Sequence, residues 1–283
     1  MNELPMPTLP MQDLIWRTAA NTPRRPPPLP APVQGAIAEE RLEVAWARSD
    51  DEVREAQRLR YRVFVTEMGA RIAPPHGTLP GIDADLYDPF CEHLLVRGRG
   101  RDGERGEVIG TYRMLTPAAA RRVGGLYSET EFDLTRLRPL RARMVELGRS
   151  CVHPDHRSGG VILALWGALA AFMVTNGLET MVGCASVGMR DGGRLAAGLW
   201  RQLSATHLAP IEWRVTPRLA LPVDELASCG QVEAPALIKG YLRCGAMVLG
   251  PPAWDPQFNT ADLPMLMRID DLPARYRRHF LGA

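Results

Sequence analysis

The first clear alternation of side chains lies in 41-RLEVAWARS-49, where Leu42, Val44 and Trp46 share one face against small or charged neighbours. A period of two predicts a strand. The period then changes. After Asp50 and Asp51, Val53, Ala56, Leu59, Val63 and Phe64 recur at helical spacing, which predicts an amphipathic helix over 50–69 behind an aspartate cap. Residues 71–90 are irregular and long for a loop inside a compact domain, a length common in functional loops. The runs 93-HLLVRG-98 and 107-EVIGTYRML-115 flank the polar turn 99-RGRDGERG-106 and predict a hairpin. Residues 117–141 read as helical or irregular, with a helix start at Ser128–Glu131, and 143-RMVELGRSCV-152 reads as a strand. An uncharged apolar helix then runs to about Gly177. A strand is expected at 180–187, a helix at 190–201, two or three strands within 205–250, and a short basic helix at 271–280. No internal repeat is visible. The alternation of strands and helices predicts an α/β domain around a central sheet.

Composition narrows the class. Residues 1–38 are proline-rich, centred on 22-TPRRPPPLPAP-32, and predict an extended tail ahead of a domain spanning 39–283. The formal net charge of +2 offers no general case for nucleic acid binding. The chain has five cysteines with no C-x-x-C pair, which argues against a disulfide framework and for a reducing compartment. MNELPMPTLP lacks the features of a secretory signal. The expected location is cytoplasmic. The strongly apolar run Val161–Val174 falls short of the about 20 residues a membrane span needs, so a buried core helix is expected there.

That helix has a notable entrance. In 145-VELGRSCVHPDHRSGGVILALWGALAAF-172, a strand meets a glycine turn at Arg157, Ser158, Gly159 and Gly160. A helix start presents unpaired N–H groups and a positive dipole end, and small residues let a phosphate approach them. The residues alone leave two readings open, a phosphate anchor and a structural turn. Cys151, His153 and His156 match no familiar zinc spacing, and no metal is expected.

The stretch resembles the acyl-donor motif of the GNAT superfamily of N-acyltransferases, Arg/Gln-x-x-Gly-x-Gly/Ala, with Ile162 at the last small position. A loop so altered suits a single phosphate, such as the phosphodiester of acyl carrier protein. Further stretches, 59-LRYRVFVTEMG-69, 83-DADLYDPFCEHLLV-96, 109-IGTYRML-115, 125-GLYSETEFDL-134, 238-IKGYLRCGA-246 and 251-PPAWDPQFNTADL-263, resemble the ornithine–acyl carrier protein N-acyltransferases, which make lyso-ornithine lipid. The resemblance covers roughly residues 41–280. A looser one extends to the acyl-homoserine-lactone synthases. It implies a GNAT-like N-acyltransferase fold, α/β, with a central mixed, mostly antiparallel sheet flanked by helices.

The implied reaction moves a fatty acyl group, 3-hydroxylated or not, from acyl carrier protein to the α-amine of L-ornithine. It requires a neutral amine, a stabilised oxyanion and a proton for the leaving thiolate. No permanently bound cofactor is implied; the acyl-phosphopantetheine arm is a co-substrate. The resemblance assigns Cys151, Val152, Arg157, Ser158, Gly159 and Gly160 to that arm. It assigns Arg60, Phe64, Asp85, Asp88 and Arg113 to the acceptor, and Glu146, Arg149 and Tyr241 to the chemistry.

Glu146 is the first candidate for the base. Asp85 or Asp88 is a candidate for holding the ornithine cation, and the bland alternative for each is an arginine partner. Arg60, Arg113 and Arg149 all suit a carboxylate. Gly148, between Glu146 and Arg149, predicts either a bulge that puts both on one face and offers an oxyanion N–H, or simple close packing. Tyr241 reads as the acid for the thiolate or as a core tyrosine. Lys239, the only lysine, is a candidate for the phosphate or for an acidic carrier, or is merely solvated. Met68, Met114 and Met144 suit an acyl pocket or the core. Acceptors such as glycine, a homoserine lactone product, and a non-catalytic carrier-binding scaffold remain the alternatives. Peripheral contact with the inner face of the membrane is expected of an enzyme with a lipid product.

Overall fold

The computed structural model describes residues 42–100, 105–226 and 230–282. The proline-rich segment 1–38 and the centre of the 99–106 turn lie outside the described residues.

β1 (Glu43–Trp46) leads into α1 (Asp50–Arg60). The Ser49 side chain caps α1 by accepting from the Glu52 N–H at 3.3 Å. Asp50, Asp51 and Glu52 fill its first turn and Arg58 and Arg60 its last, as the helix dipole favours. The predicted helix over 50–69 then widens into a π-helix, Tyr61–Glu67, a rare form often found at functional sites.

β2 (Glu92–Arg97) and β3 (Val108–Leu115) form the expected hairpin. α2 (Pro117–Val123) and β4 (Phe132–Asp133) precede β5 (Met144–Val152), which is followed by α3 (Gly160–Thr175) and β6 (Thr180–Gly188). Next come α4 (Arg194–Thr206), β7 (Thr216–Pro217), α5 (Val223–Leu226), α6 (Ala236–Arg243) and β8 (Met247–Val248). β9 (Ala253–Asp255), β10 (Thr260–Arg268) and α7 (Ala274–Leu281) complete the chain.

Two expectations change. The helix expected at 190–201 starts at Arg194, because Asp191 folds back to accept from the Gly193 and Leu195 N–H groups at 2.9 and 2.7 Å. The strands expected within 205–250 reduce to the two-residue β7 and β8 plus single bridges at Leu208 and Ala220. Prolines 210, 217, 222 and 235 interrupt that region. The long strand is β10 instead. Its Pro264 falls between the residues paired to β9 and those paired to β8, so the missing N–H interrupts neither ladder.

The main sheet runs β1-β2-β3-β5-β6-β10-β8, with β9 also on β10. Among the described strand pairs only β5–β6 is parallel, so the sheet is mixed and mostly antiparallel, as the resemblance implies. Alternate residues feed opposite faces. Leu94 and Val96 join Trp46, Ile109 and Tyr112 beneath α3 and α7. Leu95, Val108 and Cys151 pack under α1. On the α3 face Gly110 lets the helix lie close to β3, since a Cβ there would meet Val161 Cγ1 at 2.4 Å. α3 buries Val161, Leu165, Leu169 and Phe172, so the uncharged run is a core helix. Among the described residues no helix is long and apolar enough to cross a membrane.

β5 and β6 are each nine residues long, yet they pair only from Met144–Thr180 to Glu146–Val182. Beyond Glu146 the strands part. The opening between them positions the site.

Candidate active site

A cavity of about 600 Å³ fills the opening. Its walls are β5 residues Glu146 to Val152, Cys184 and Ser186 of β6, Trp166 of α3 and Tyr241 of α6. Thr260 and Asp262 of β10 close the far side.

The expected bulge exists, one residue beyond Gly148. In the β3–β5 ladder Thr111 faces Cys151 and Arg113 faces Gly148, so Arg149 and Ser150 together stand opposite Tyr112. Arg149 carries the cost, with φ at +51°, a left-handed conformation uncommon for a side-chain-bearing residue. Glu146 and Arg149 both reach the cavity as a result.

The Glu146 carboxylate is buried, and its two oxygens accept from the Tyr127 N–H at 2.6 Å and the Ser128 N–H at 2.7 Å. Burial raises its pKa, partly offset by the Ser128 and Tyr127 hydrogen bonds and by Arg113.

Behind this floor three arginines meet three aspartates. Arg60, fully buried, contacts Asp83 at 2.7 Å and Asp88 at 2.8 Å. Arg113 Nη1 lies 2.6 Å from Asp85 and 2.9 Å from Asp88, and Arg149 Nη2 lies 3.1 Å from Asp85. Burial alone would raise Asp88, but the Arg60 and Arg113 guanidinium groups outweigh it and hold the carboxyl well below its usual range. Asp85 is lowered in the same way, burial being overcome chiefly by Arg113. Arg149 is the most exposed of the three arginine side chains, at 12 %, and stands over the rings of Tyr127 and Phe258 at 5.0 and 4.5 Å.

Tyr241 stacks on Trp166, ring centroids 5.3 Å apart, and its hydroxyl is 2.7 Å from that of Tyr112. Burial, with Tyr112 beside it, pushes the Tyr241 phenol well up, so it keeps its proton at neutral pH. At the mouth, Gly159 takes φ +105° to start α3. Arg157 forks onto Glu67 at 2.6 and 2.7 Å and donates to the Val152 carbonyl at 3.1 Å. The π-helix, through Glu67, thus orients Arg157.

Of the residues nominated from sequence, Phe64, Arg113, Glu146, Arg149, Cys151, Val152, Arg157, Gly159 and Tyr241 line the cavity. Arg60, Asp85 and Asp88 lie behind it in the ion network, and Ser158 and Gly160 belong to the turn outside it. Lys239 is half-buried and paired with Glu233. Burial pushes the Cys151 thiol up to about 12, which removes it as a nucleophile. Met68 lines the cavity, whereas Met114 and Met144 are core.

Sequence reasoning missed Tyr112, the Tyr127 and Ser128 N–H groups, Trp166, Glu131 and Asp262. Tyr112 was legible beside Arg113, and Glu131 and Asp262 sit inside quoted motifs. The backbone donors carry no side-chain signal.

The acetyltransferase (GNAT) domain model matches residues 59–167, which spans the π-helix, the bulge and the Arg157–Gly160 turn. The L-ornithine N(alpha)-acyltransferase of Rhodobacter capsulatus is 37% identical over 246 residues, covering 84% of this chain and 94% of that protein. The chain belongs to the L-ornithine Nα-acyltransferase family. A second member, from Agrobacterium fabrum, is 36% identical over 256 residues, covering 85% of each chain. In fold, the chain is similar to FeeM, an N-acyl amino acid synthase from uncultured soil microbes, with TM-score 0.50, 12% identity and coverage of 87% of this chain and 98% of that one. The family makes this chain an acyltransferase, and the cleft between β5 and β6 is its candidate centre.

Proposed function

We propose that this L-ornithine Nα-acyltransferase family member transfers a fatty acyl group from the phosphopantetheine thioester of acyl carrier protein to the α-amine of L-ornithine, giving lyso-ornithine lipid. The observation that carries the reading is the meeting of Glu146, the Arg149 bulge and Tyr241 on one cavity that opens at the Gly159 turn. The donor arm enters past Arg157 and Gly159 and lies along the β5 edge that β6 leaves free. Its phosphate meets the start of α3.

The acceptor carboxylate meets Arg149, the network arginine that reaches furthest into the cavity. Glu146 takes the ammonium proton, directly or through water, and frees the amine. The amine nitrogen attacks the thioester carbon. Charge gathers on the carbonyl oxygen, near the N–H groups that the bulge withdraws from the β3 ladder. Collapse breaks the C–S bond, Tyr241 gives its proton to the departing thiolate, and the proton still carried by the attacking nitrogen leaves to restore the tyrosine, giving the neutral amide and thiol. Tyr112, hydrogen-bonded to Tyr241, supports that transfer.

α7 supports a carrier-docking role. Its Tyr276 lines the cavity while Arg275 and Arg278 are exposed, a basic face for an acidic carrier and for the inner face of an anionic membrane. The test is to incubate the protein with 3-hydroxyacyl carrier protein and ornithine and fragment the product by mass spectrometry. Acylation at the α-nitrogen supports the reading. Acylation at the δ-nitrogen, or an intact thioester, counts against it.

A further inference from the structure

The cleft borders two acidic groups with opposite fates. Asp83, Asp85 and Asp88 are each met by arginine. Glu131, Asp255 and Asp262 are not. Among the described residues no arginine or lysine forms an ion pair with any of them.

Asp255 and Asp262 line the cavity, with Thr260 between them in sequence and paired to Asp255 across β9 and β10. Asp262 is 4 % exposed and Thr260 1 %, yet Asp262 Oδ1 and Thr260 Oγ1 have no hydrogen-bond partner. Glu131 Oε1, just behind, has none either. A buried acceptor without a donor costs on the order of 1–3 kcal/mol, more if charged, and a buried carboxylate normally carries its counter-charge with it. Among the described residues no basic side chain supplies that counter-charge, and burial accordingly raises the Asp262 pKa.

The nook adjoins the reaction centre. The Ser128 N–H holds Glu146, the Ser128 hydroxyl lies 3.6 Å from Cys184 Sγ, and Cys184 Sγ lies 3.5 Å from Glu131 Oε2. Glu131, Cys184 and Asp262 present atoms within 4.8 Å of one another, a spacing that would also admit a metal ion. Burial, then the neighbouring Asp262 and Asp255, push Glu131 up to about 9, and burial pushes the Cys184 thiol well up. Protonated, these two groups leave Asp262 and Asp255 as the acceptors that an organic ammonium would meet, and the test below separates that occupant from a metal.

We propose that Asp262, with Thr260 and Asp255 beside it, receives the side-chain ammonium of the acceptor and selects a cationic amino acid over a neutral one of the same length. The inference rests on the acceptor reading above and gives it a residue. It also relieves Asp85 and Asp88 of that task, since their oxygens are already engaged by arginine.

The test compares L-ornithine with L-norvaline, which has the same three-carbon side chain without the amine, in the full chain with one acyl carrier thioester. The ratio of kcat/KM for ornithine to that for norvaline is measured for the wild type, Asp262→Asn and Thr260→Val. The ratio is expected to fall at least tenfold in Asp262→Asn and by a smaller factor in Thr260→Val, mainly through the KM of ornithine. Equal losses on both acceptors, leaving the ratio as in the wild type, would overturn the assignment. The norvaline rate also reports folding of each variant. If the wild type acylates neither ornithine nor norvaline, the acceptor reading itself fails, an outcome distinct from an unchanged ratio. A thermal shift of the wild type with zinc or magnesium alone, and none with ornithine, would favour a metal and overturn the proposal.

Discussion

Arg149 Nη2 lies 3.1 Å from Asp85 Oδ2 while the Arg149 backbone sits at φ +51°. The ion pair and the strained backbone belong to one device. The bulge turns Arg149 into the cleft, and Asp85, itself braced by Arg113, fixes the guanidinium where it arrives. A left-handed non-glycine residue costs on the order of 1–3 kcal/mol and persists only where its surroundings over-determine it. Arg149 has an ion pair on one side and two aromatic rings on the other.

The acceptor carboxylate should therefore depend on the fork of Arg149 and not merely on its charge. Arg149→Lys is expected to raise the KM for ornithine about tenfold to a hundredfold, the worth of a charged hydrogen bond. Steady-state kinetics with ornithine and with 1,4-diaminobutane, which lacks the carboxylate, check this. The preference for ornithine should collapse.

Glu146, as the proposed base, is expected to set the acid side of the pH profile. Its folded pKa is raised above the ordinary 4.5, so the base form accumulates only as pH rises through that elevated value. The rate is expected to climb with pH along a limb lying above 4.5. Glu146→Gln should remove the limb and lower kcat by about 10²–10⁴-fold. A pH–kcat series for both proteins reads the result.

Tyr241 and Tyr112 share a 2.7 Å hydrogen bond, and the proposed roles of the two hydroxyls are separable by mutation. Tyr241→Phe should lower kcat by about a hundredfold, the lower end of a lost general acid. Tyr112→Phe should cost less. A better thiol leaving group in the donor should restore much of the loss in Tyr241→Phe alone, because a thiolate that leaves readily needs no proton.

The Arg60–Asp88 pair predicts stability rather than rate. Asp88→Asn leaves Arg60 only partly compensated at 0% exposure and is expected to destabilise by about 3–5 kcal/mol in urea unfolding. The sign of the pH effect follows from the depressed Asp88 pKa. Its contribution is complete above the unfolded value of 3.8 and is lost as pH falls through the lower folded value. Wild type should lose stability in acid more steeply than Asp88→Asn.

Much of this was legible in the residues. Leu42, Val44 and Trp46 announced β1, and the uncharged run after Gly160 announced a core helix, because one face or one length decided each. Gly148 signalled the bulge, although the strain settled one residue later on Arg149. The helix at 190 was read early because Asp191 and two glycines form its cap. β10 escaped because Pro264 argues against a strand, and only the gap between β8 and β9 makes it harmless. The two aspartate groups could not be told apart in sequence. Asp85 and Asp262 are both acids in motif segments, and what separates them is which arginines the fold brings near.

The most direct measurement offers equimolar amino acids to the protein with 3-hydroxyacyl carrier protein and, separately, with the matching acyl-coenzyme A, and identifies products by mass spectrometry. Nα-Acylornithine is expected as the dominant product, formed from the carrier thioester and poorly from the coenzyme A ester. A dominant product on another amine, or equal use of both donors, would contradict it.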